Sequence, residues 1–303
     1  MNLRDLRYVI SVAELGHFGR AAEACHISQP TLSGQILKLE DELGVAIFER
    51  IGKSVRLTPT GERIVEQARK AVQAADDIAM TARAARDPLS GALTIGAIPT
   101  IAPYLMPYLL PAAAAHLPNA PLIIHEDITD NLVVALSAGK LDAAILATET
   151  DTNLLGSIML YDEPFWAALP ATHVLAKKKQ IAPGELDPKT LLLLADGHCL
   201  RDQALDVCGH PDLGGGSSAD IRAVSLETLM QLAAAGQGIT LAPELAVKSA
   251  RGLTTGLVAR KISGGEAFRR VRLAFRRNAP RMKAIEVVAE IIRNATPIAP
   301  HSI

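Results

Sequence analysis

No stretch of this 303-residue chain approaches the roughly 18 consecutive apolar residues that a membrane-crossing helix requires. Its first residues scatter Arg4, Asp5, Arg7 and Glu14 among apolar neighbours, so they hold no charge-free apolar region of the kind a secretion signal needs. On both counts a soluble, cytoplasmic protein with no membrane partner is expected. Cysteine is scarce as well. Cys25, Cys199 and Cys208 are too few, and odd in number, for a disulfide scaffold. In a reducing compartment a close cysteine pair is more often redox-active or metal-binding than structural. Nothing in the sequence forms a phosphate-cradling glycine loop, a dinucleotide fingerprint or a recognisable serine–histidine–aspartate motif, so no enzyme signature is present. Charge of one sign is missing too: the net charge is −1, and residues 1–60 hold seven basic and seven acidic side chains. A nucleic-acid partner must therefore be read from local placement of charge. Against these absences stands a hydrophobic content of 49%, enough for real cores, in a length that suggests two or three domains.

The first sixty residues carry three helical periods. Leu3, Leu6, Val9, Ile10 and Ala13 recur at helical spacing. A short second helix follows over Phe18 to Cys25, where the small Ala21 and Ala22 would admit a close neighbour. After the turn His26-Ile27-Ser28, Ser28 is placed to cap a third helix with Pro30 in its first turn, where no needed hydrogen bond is lost. Leu32, Ile36, Leu39 and Leu43 form one apolar stripe in it, and Gly44 ends it. The other face presents Gln29, Pro30, Thr31, Ser33, Gln35 and Lys38, mostly short and uncharged and rich in donors and acceptors. A helix entering the major groove needs such groups to reach base edges and phosphates. An ordinary solvated face would carry more Glu and Lys. Residues 46–58 then read as two short strands around a turn, which puts Arg50, Lys53 and Arg56 on a wing within reach of phosphates. The pattern predicts a winged helix-turn-helix that binds double-stranded DNA.

The run Phe18 to Cys25, then Ser28-Gln29-Pro30-Thr31-Leu32-Ser33, Lys38-Leu39-Glu40, Leu43-Gly44 and Leu57-Thr58-Pro59-Thr60-Gly61, resembles LysR-type transcriptional regulators. The resemblance implies an α/β fold class with an all-α-type winged helix-turn-helix at the N-terminus. Behind it, a regulatory region of two α/β subdomains similar to periplasmic binding proteins is implied. So are a homodimer or homotetramer, action on RNA polymerase, and, in most such regulators, a small organic effector in the cleft. Cys25, beside the helix-turn-helix, reads as a small buried apolar residue.

From Thr58, a cap with Pro59 at the first helical position, a long helix is expected to about Ala85, before Asp87-Pro88 breaks it. Ile64, Ala68, Val72, Ala75, Ala79 and Ala82 form a heptad-like seam of small side chains, suited to a second copy or to its own domain. A dimer would set two recognition helices on half-sites about one DNA turn apart. The expected domains are 1–58 for the winged helix, 59–86 for the dimerising helix, 87–91 for a hinge and 92–303 for the regulatory domain. Within the last, subdomain I covers about 92–163 and 268–303, and subdomain II about 164–267. From Gly91 strands and helices alternate. Leu93 to Ile98 reads as a strand, Pro103 to His116 as a helix, Leu122 to Ile124 as a strand, Asn131 to Ala138 as a helix and Asp142 to Leu146 as a strand. The alternation resumes after Pro164, including Leu191 to Leu194, Ser225 to Ala235 and Ile239 to Leu241, and it predicts α/β units on mostly parallel sheets. Ligands in such folds bind beyond the carboxyl ends of strands, where Thr100 and Thr129 fall, although each is by default a helix cap.

One segment departs from the organic-effector default. Leu194-Ala195-Asp196-Gly197-His198-Cys199 leaves an apolar strand, turns at Gly197 and would start a helix with Cys199 in its first turn. Unpaired backbone N–H groups there favour a thiolate, as do Arg201 and a protonated His198. The thiolate is the form that attacks peroxide. A buried, inert cysteine is the plain alternative. The string Asp196 to Ala204 with Cys208 after it is similar to the redox segment of the peroxide-sensing members of the LysR family. Ile98-Pro99-Thr100, Pro103-Tyr104-Leu105, Ser225 to Leu229, Ala234 to Gly236 and Gly238 to Leu241 share that similarity, which runs from Met1 to about Leu245. It implies hydrogen peroxide as the signal, with Cys199 oxidised first and Cys208 then closing a reversible disulfide onto it. It further implies Thr100, Thr129 and His198 as the groups that hold peroxide, and cellular dithiols as reductants.

Nine residues of unbroken helix would separate the two cysteines by about 13–14 Å along the axis, and a disulfide tolerates at most about 7 Å between Cα atoms. Pairing them must therefore unravel the segment, for which the Gly214 to Ser218 run offers slack. The rivals are a regulator answering an organic effector with incidental cysteines, a thiol peroxidase, and a metal site of His198, Cys199, Cys208 and His210. A peroxidase leaves the helix-turn-helix without a role, and the four metal-binding residue types fit no zinc spacing. No cofactor and no metal are expected.

Overall fold

A computed structural model of the chain describes residues 1–51, 54–150, 153–209, 225–249, 255–264 and 267–298, in two compact units, Met1–Arg86 and Asp87–Ile303. In the first unit, helices α1 (Leu3–Leu15), α2 (Phe18–Ala24) and α3 (Gln29–Leu43) precede an antiparallel hairpin of β1 (Phe48–Ile51) and β2 (Ser54–Leu57). Helix α4 (Pro59–Arg86) completes it. The α1 start is a reciprocal cap: Asn2 accepts from the Arg4 and Asp5 N–H groups, and Asp5 accepts from the Asn2 N–H. Such a cap contributes roughly 1 kcal/mol. The Ser28 hydroxyl accepts from the Thr31 N–H at the start of α3, and Gly44 ends that helix at φ 68°. Val9, Val12, Ala21, Leu32, Ile36, Leu39 and Ile47 form the core. Leu43, expected in the same stripe, is 38% exposed; it lies past the end of this small core and lines an open apolar groove with Leu6, Val45 and Ile64. The α4 seam divides in the same way. Ala68, with Val65 beside it, is buried in its own unit, while Ile78, Ala79 and Ala82 stand exposed.

In the second unit β3 (Leu93–Ala97) leads to α5 (Ala102–His116), β4 (Leu122–Glu126), α6 (Thr129–Ser137) and β5 (Ala143–Leu146). β3 pairs in parallel with both β4 and β5. β6 (Leu155–Pro170) follows, and the 2-residue β7 (Gln180–Ile181) precedes α7 (Cys199–Val207) and α8 (Leu226–Ala234). Then come β8 (Thr240–Pro243), α9 (Glu244–Lys248), β9 (Leu257–Ile262), β10 (Phe268–Arg276) and α10 (Met282–Ala295). The sheet runs β4-β3-β5-β10-β6-β9-β7, with β8 also on β6. It is mixed, not mostly parallel as the alternation predicts. The reason is β6: its first half pairs antiparallel with β10 and its second half antiparallel with β8 and β9. Leu191 to Leu194, expected as a strand, forms isolated bridges instead of a strand, one of them from Leu191 to Ile239. Gly238 permits that approach, since a Cβ there would lie 2.4 Å from the Thr190 carbonyl oxygen. Arg281, itself buried, clasps the carbonyls of Ser90, Gly91 and Ala92. Among the described residues no helix is long and apolar enough to cross a membrane.

Candidate functional site

Cys199 is the first residue of α7. Gly197 makes the turn before it at φ 91°, a conformation that strains any residue with a side chain. His198 follows in extended conformation, and its carbonyl accepts from the Arg201 N–H. Leu200, Ala204 and Leu205 bury one face of the helix. The Gln203 amide donates to the Ala147 carbonyl, just beyond β5, at 2.8 Å. Cys199 thus stands at the head of a helix that is packed through Leu200, Ala204 and Leu205 and tied through Gln203.

That thiol faces a small cavity. Its walls are Ile98, Pro99 and Thr100 after β3, Ile128 and Thr129 at the start of α6, and Gly197, His198 and Cys199 itself. The fold therefore gathers Thr100, Thr129, His198 and Cys199, although they come from segments far apart in sequence. Only about 10 Å³ is open to the centre of a water-sized molecule. That admits one molecule near the size of water, whereas sites for drug-sized organic ligands run to about 300 Å³ or more.

Burial is the main influence on the Cys199 thiol and pushes it up; Arg269 is the first of the groups that oppose this, followed by the Thr129 hydroxyl. Asp202, on the same helix, works against the thiolate, and the Leu200 N–H for it. Two sequence expectations are corrected here. Arg201 does not supply the stabilising charge: its guanidinium reaches Asp196 at 3.2 Å and the Leu194 carbonyl at 3.1 Å. Nor does burial favour a charged His198: it lowers the imidazole's pKa and works against the protonated form. The Thr129 hydroxyl is buried without a hydrogen-bond partner of ordinary geometry among the described residues. Its interaction with sulfur is accordingly weak while the thiol is neutral and grows when sulfur carries charge.

Arg269 belongs to a buried network that sequence reasoning missed. Its Nε donates to Glu163 at 2.8 Å, and its two terminal nitrogens donate to the Thr100 hydroxyl at 2.8 Å and the Thr100 carbonyl at 2.9 Å. Glu163 and Arg269 face each other across β6 and β10, with side chains 0% and 1% exposed. The other Glu163 oxygen accepts from the Leu245 N–H. Removing one partner of such a pair typically costs about 3–5 kcal/mol. A faint signal existed: Arg269 shares its strand phase with the buried Val271 and Leu273, and a charge in an apolar phase asks for a partner.

Cys208 caps the other end of α7. It is 5% exposed, and burial pushes its thiol up to about 11. Cys25, at the C-terminus of α2, is half-buried. His210 and the Gly214 to Ser218 run lie outside the described residues. Among the described residues no group of three or more metal-binding side chains could hold an ion.

In the first unit Gln29, Pro30, Thr31 and Lys38 are exposed along α3, and Ser33 and Gln35 are half-buried. The Thr31 hydroxyl is shared with the Ser28 cap at 2.7 Å. Arg56 is exposed on β2 opposite Glu49. Lys53 and the Arg50 side chain lie outside the described residues.

Two family descriptions match the chain: the bacterial regulatory helix-turn-helix protein of the lysR family over residues 3–62, and the LysR substrate binding domain over residues 86–297. The hydrogen peroxide-inducible genes activator of Dickeya chrysanthemi and the DNA-binding transcriptional dual regulator OxyR of Escherichia coli are each 41% identical to it, over 97% of this chain and 95% of theirs. Full-length OxyR of Pseudomonas aeruginosa, with a cysteine replaced by aspartate, matches with a TM-score of 0.79 at 43% identity, covering 98% of this chain and 99% of that one. A mutant of Corynebacterium glutamicum OxyR with hydrogen peroxide bound matches at 0.65 with 36% identity, over 97% and 92%.

Proposed function

Because this chain belongs to the LysR family of DNA-binding transcription regulators, and within it to the OxyR type, we propose that hydrogen peroxide reacting at Cys199 is the signal it converts into altered gene control. The observation that carries this is the convergence of Thr100, Thr129 and His198 on the Cys199 thiol around a cavity of near-water size. Thr100, Thr129 and His198 hold the peroxide against the sulfur. As sulfur attacks, an S–O bond forms and the O–O bond breaks. The thiol proton passes to the departing oxygen, which leaves as water, and Cys199 becomes a sulfenic acid. The Cys208 sulfur then attacks the Cys199 sulfur and displaces the hydroxyl, which leaves as a second water with the Cys208 proton. Two thiols and one peroxide thus give one disulfide and two waters, and a cellular dithiol reverses the change.

The second step requires α7 to unwind, since its ends are about 13–14 Å apart along a helix. Unwinding also activates Cys208. A thiol held at about 11 is ionised about once in ten thousand at pH 7, and release into water restores an ordinary thiol. The remodelled regulatory domain, 92–303, would then reset a homodimer or homotetramer joined through 59–86 and hinged at 87–91. Gln29, Pro30, Thr31, Ser33, Gln35 and Lys38 of α3, with Arg50, Lys53 and Arg56 of the wing, would contact the operator in the cytoplasm and act on RNA polymerase. The protein consumes its oxidant stoichiometrically as a signal, and we do not assign it an enzymatic turnover. Thiol-mapping mass spectrometry after a brief exposure to low-micromolar hydrogen peroxide tests the reading. A Cys199–Cys208 disulfide that forms within seconds and is reversed by dithiol is expected; two free thiols would sink it.

A further inference from the structure

The reading above uses Thr100 and Cys199 but leaves Glu163 without a role, although it is the most deeply buried charge in the second unit's site. Its position is specific. One oxygen accepts from Arg269 and the other from the Leu245 N–H at the start of α9, so both ends of the carboxylate are fixed. Arg269 in turn spends two nitrogens on Thr100, one on the hydroxyl and one on the carbonyl. A hydroxyl that accepts from a guanidinium has its own hydrogen free to donate elsewhere. Thr100 lines the cavity, so a molecule held there is the acceptor within its reach.

We propose that Glu163 is a positioning residue for the peroxide reaction: it clamps Arg269 so that Thr100 donates its hydroxyl hydrogen into the cavity. When sulfur attacks and the O–O bond breaks, the departing oxygen gains negative charge before it is protonated. The Thr100 hydroxyl is placed to stabilise that charge. The clamp thereby sets the orientation of a donor. The ionisable groups acting on Cys199 are Arg269 from β10 and Asp202 from α7, with His198 beside it. Those acting with Glu163 are Arg269 and the neighbouring Tyr161, whose buried hydroxyl has no hydrogen-bond partner among the described residues and is itself held well above its usual pKa.

The inference rests on Cys199 being the site of oxidation, so the full chain carrying Cys208→Ser serves as parent, with the first step alone in view. Two rates are followed against pH: sulfenic acid formation with hydrogen peroxide, and alkylation with iodoacetamide. Glu163→Gln keeps the shape and an acceptor for Arg269 but loses the charge. Its peroxide rate should therefore stay within about threefold of the parent. A loss as large as that of the shortened variant below would overturn the clamp, since the glutamine keeps its shape. Glu163→Asp keeps the charge but shortens the reach, and it remains informative if the glutamine variant does not fold. Its alkylation profile should match the parent while its peroxide rate falls about tenfold, from a misplaced donor. An unchanged peroxide rate overturns the clamp. A parent that forms no sulfenic acid would instead defeat the functional reading on which the clamp depends.

Discussion

Cys199 opens α7 on the wall of a cavity, whereas Cys208 closes the same helix with 5% of its surface exposed. The first thiol is surrounded by groups that act on it in opposite senses: burial and Asp202 against the thiolate, Arg269 and the Thr129 hydroxyl for it. The second is governed by burial alone. One end of the helix is therefore built as a reaction site, with donors, a fixed cation and space for one small molecule. The other end is a core position that happens to carry sulfur. The lesson is that a nine-residue helix can store the two halves of a switch by keeping them apart. Its packing through Leu200, Ala204 and Leu205, and the tie from Gln203 to Ala147, decide when they meet.

The sharpest break of this comparison is all-or-none. Cys199→Ser should abolish both sulfenic acid and disulfide, with Cys208 still reduced after peroxide exposure by mass spectrometry. Cys208→Ser should abolish only the disulfide. If Cys208 oxidised readily in the first variant, the two ends would not differ in kind. Next in size is the donor. Thr100→Val keeps the volume but removes the hydroxyl, and loss of one donor aimed at developing charge typically costs about 100-fold or more in rate. Stopped-flow oxidation of the Cys208→Ser background would read it, and a change under threefold would contradict the role. The cavity gives a smaller but independent effect. A bulky alkyl hydroperoxide should oxidise Cys199 at least about tenfold more slowly than hydrogen peroxide, because the open space fits one water-sized molecule. Equal rates would mean that the chemistry happens outside the cavity.

What could be read from the sequence follows the same division between local and distant. The winged helix was legible because its signals are short-range: the Ser28 cap, Pro30, the Leu32–Ile36–Leu39 stripe and Gly44 lie within one helix. Cys199 at the head of α7 was legible for the same reason, through Gly197 and the helix start. Thr100 and Thr129 were placed by the strand-to-helix pattern, which reads them as caps, and a role in holding peroxide came only from the family resemblance. Arg269 and Glu163 were not found, because 106 residues separate them and neither lies near a motif. The opposite error had the same cause. Arg201 was chosen for being two residues from Cys199, yet in the fold it turns to Asp196 and Leu194. The mixed sheet was missed because local alternation is blind to the long strand β6, whose partners β8, β9 and β10 lie far downstream.

The smallest expected effect probes the quiet end of the helix, and its sign follows from linkage. The folded Cys208 thiol is held at about 11, against an ordinary value of about 9 once α7 opens. Below about 9 both forms keep the proton, and burial of the neutral thiol lends α7 its full stability. Between about 9 and 11 the opened helix sheds a proton that the closed helix retains, so closed α7 loses roughly 1.4 kcal/mol for each unit of rising pH. In a Cys199→Ser chain, iodoacetamide should therefore label Cys208 slowly, at a rate that keeps rising about tenfold per pH unit beyond 9 and bends only near 11. An exposed thiol would level off near 9. Levelling there would mean that Cys208 is already open to solvent, and the two ends of α7 would then be equally ready to react without any unwinding.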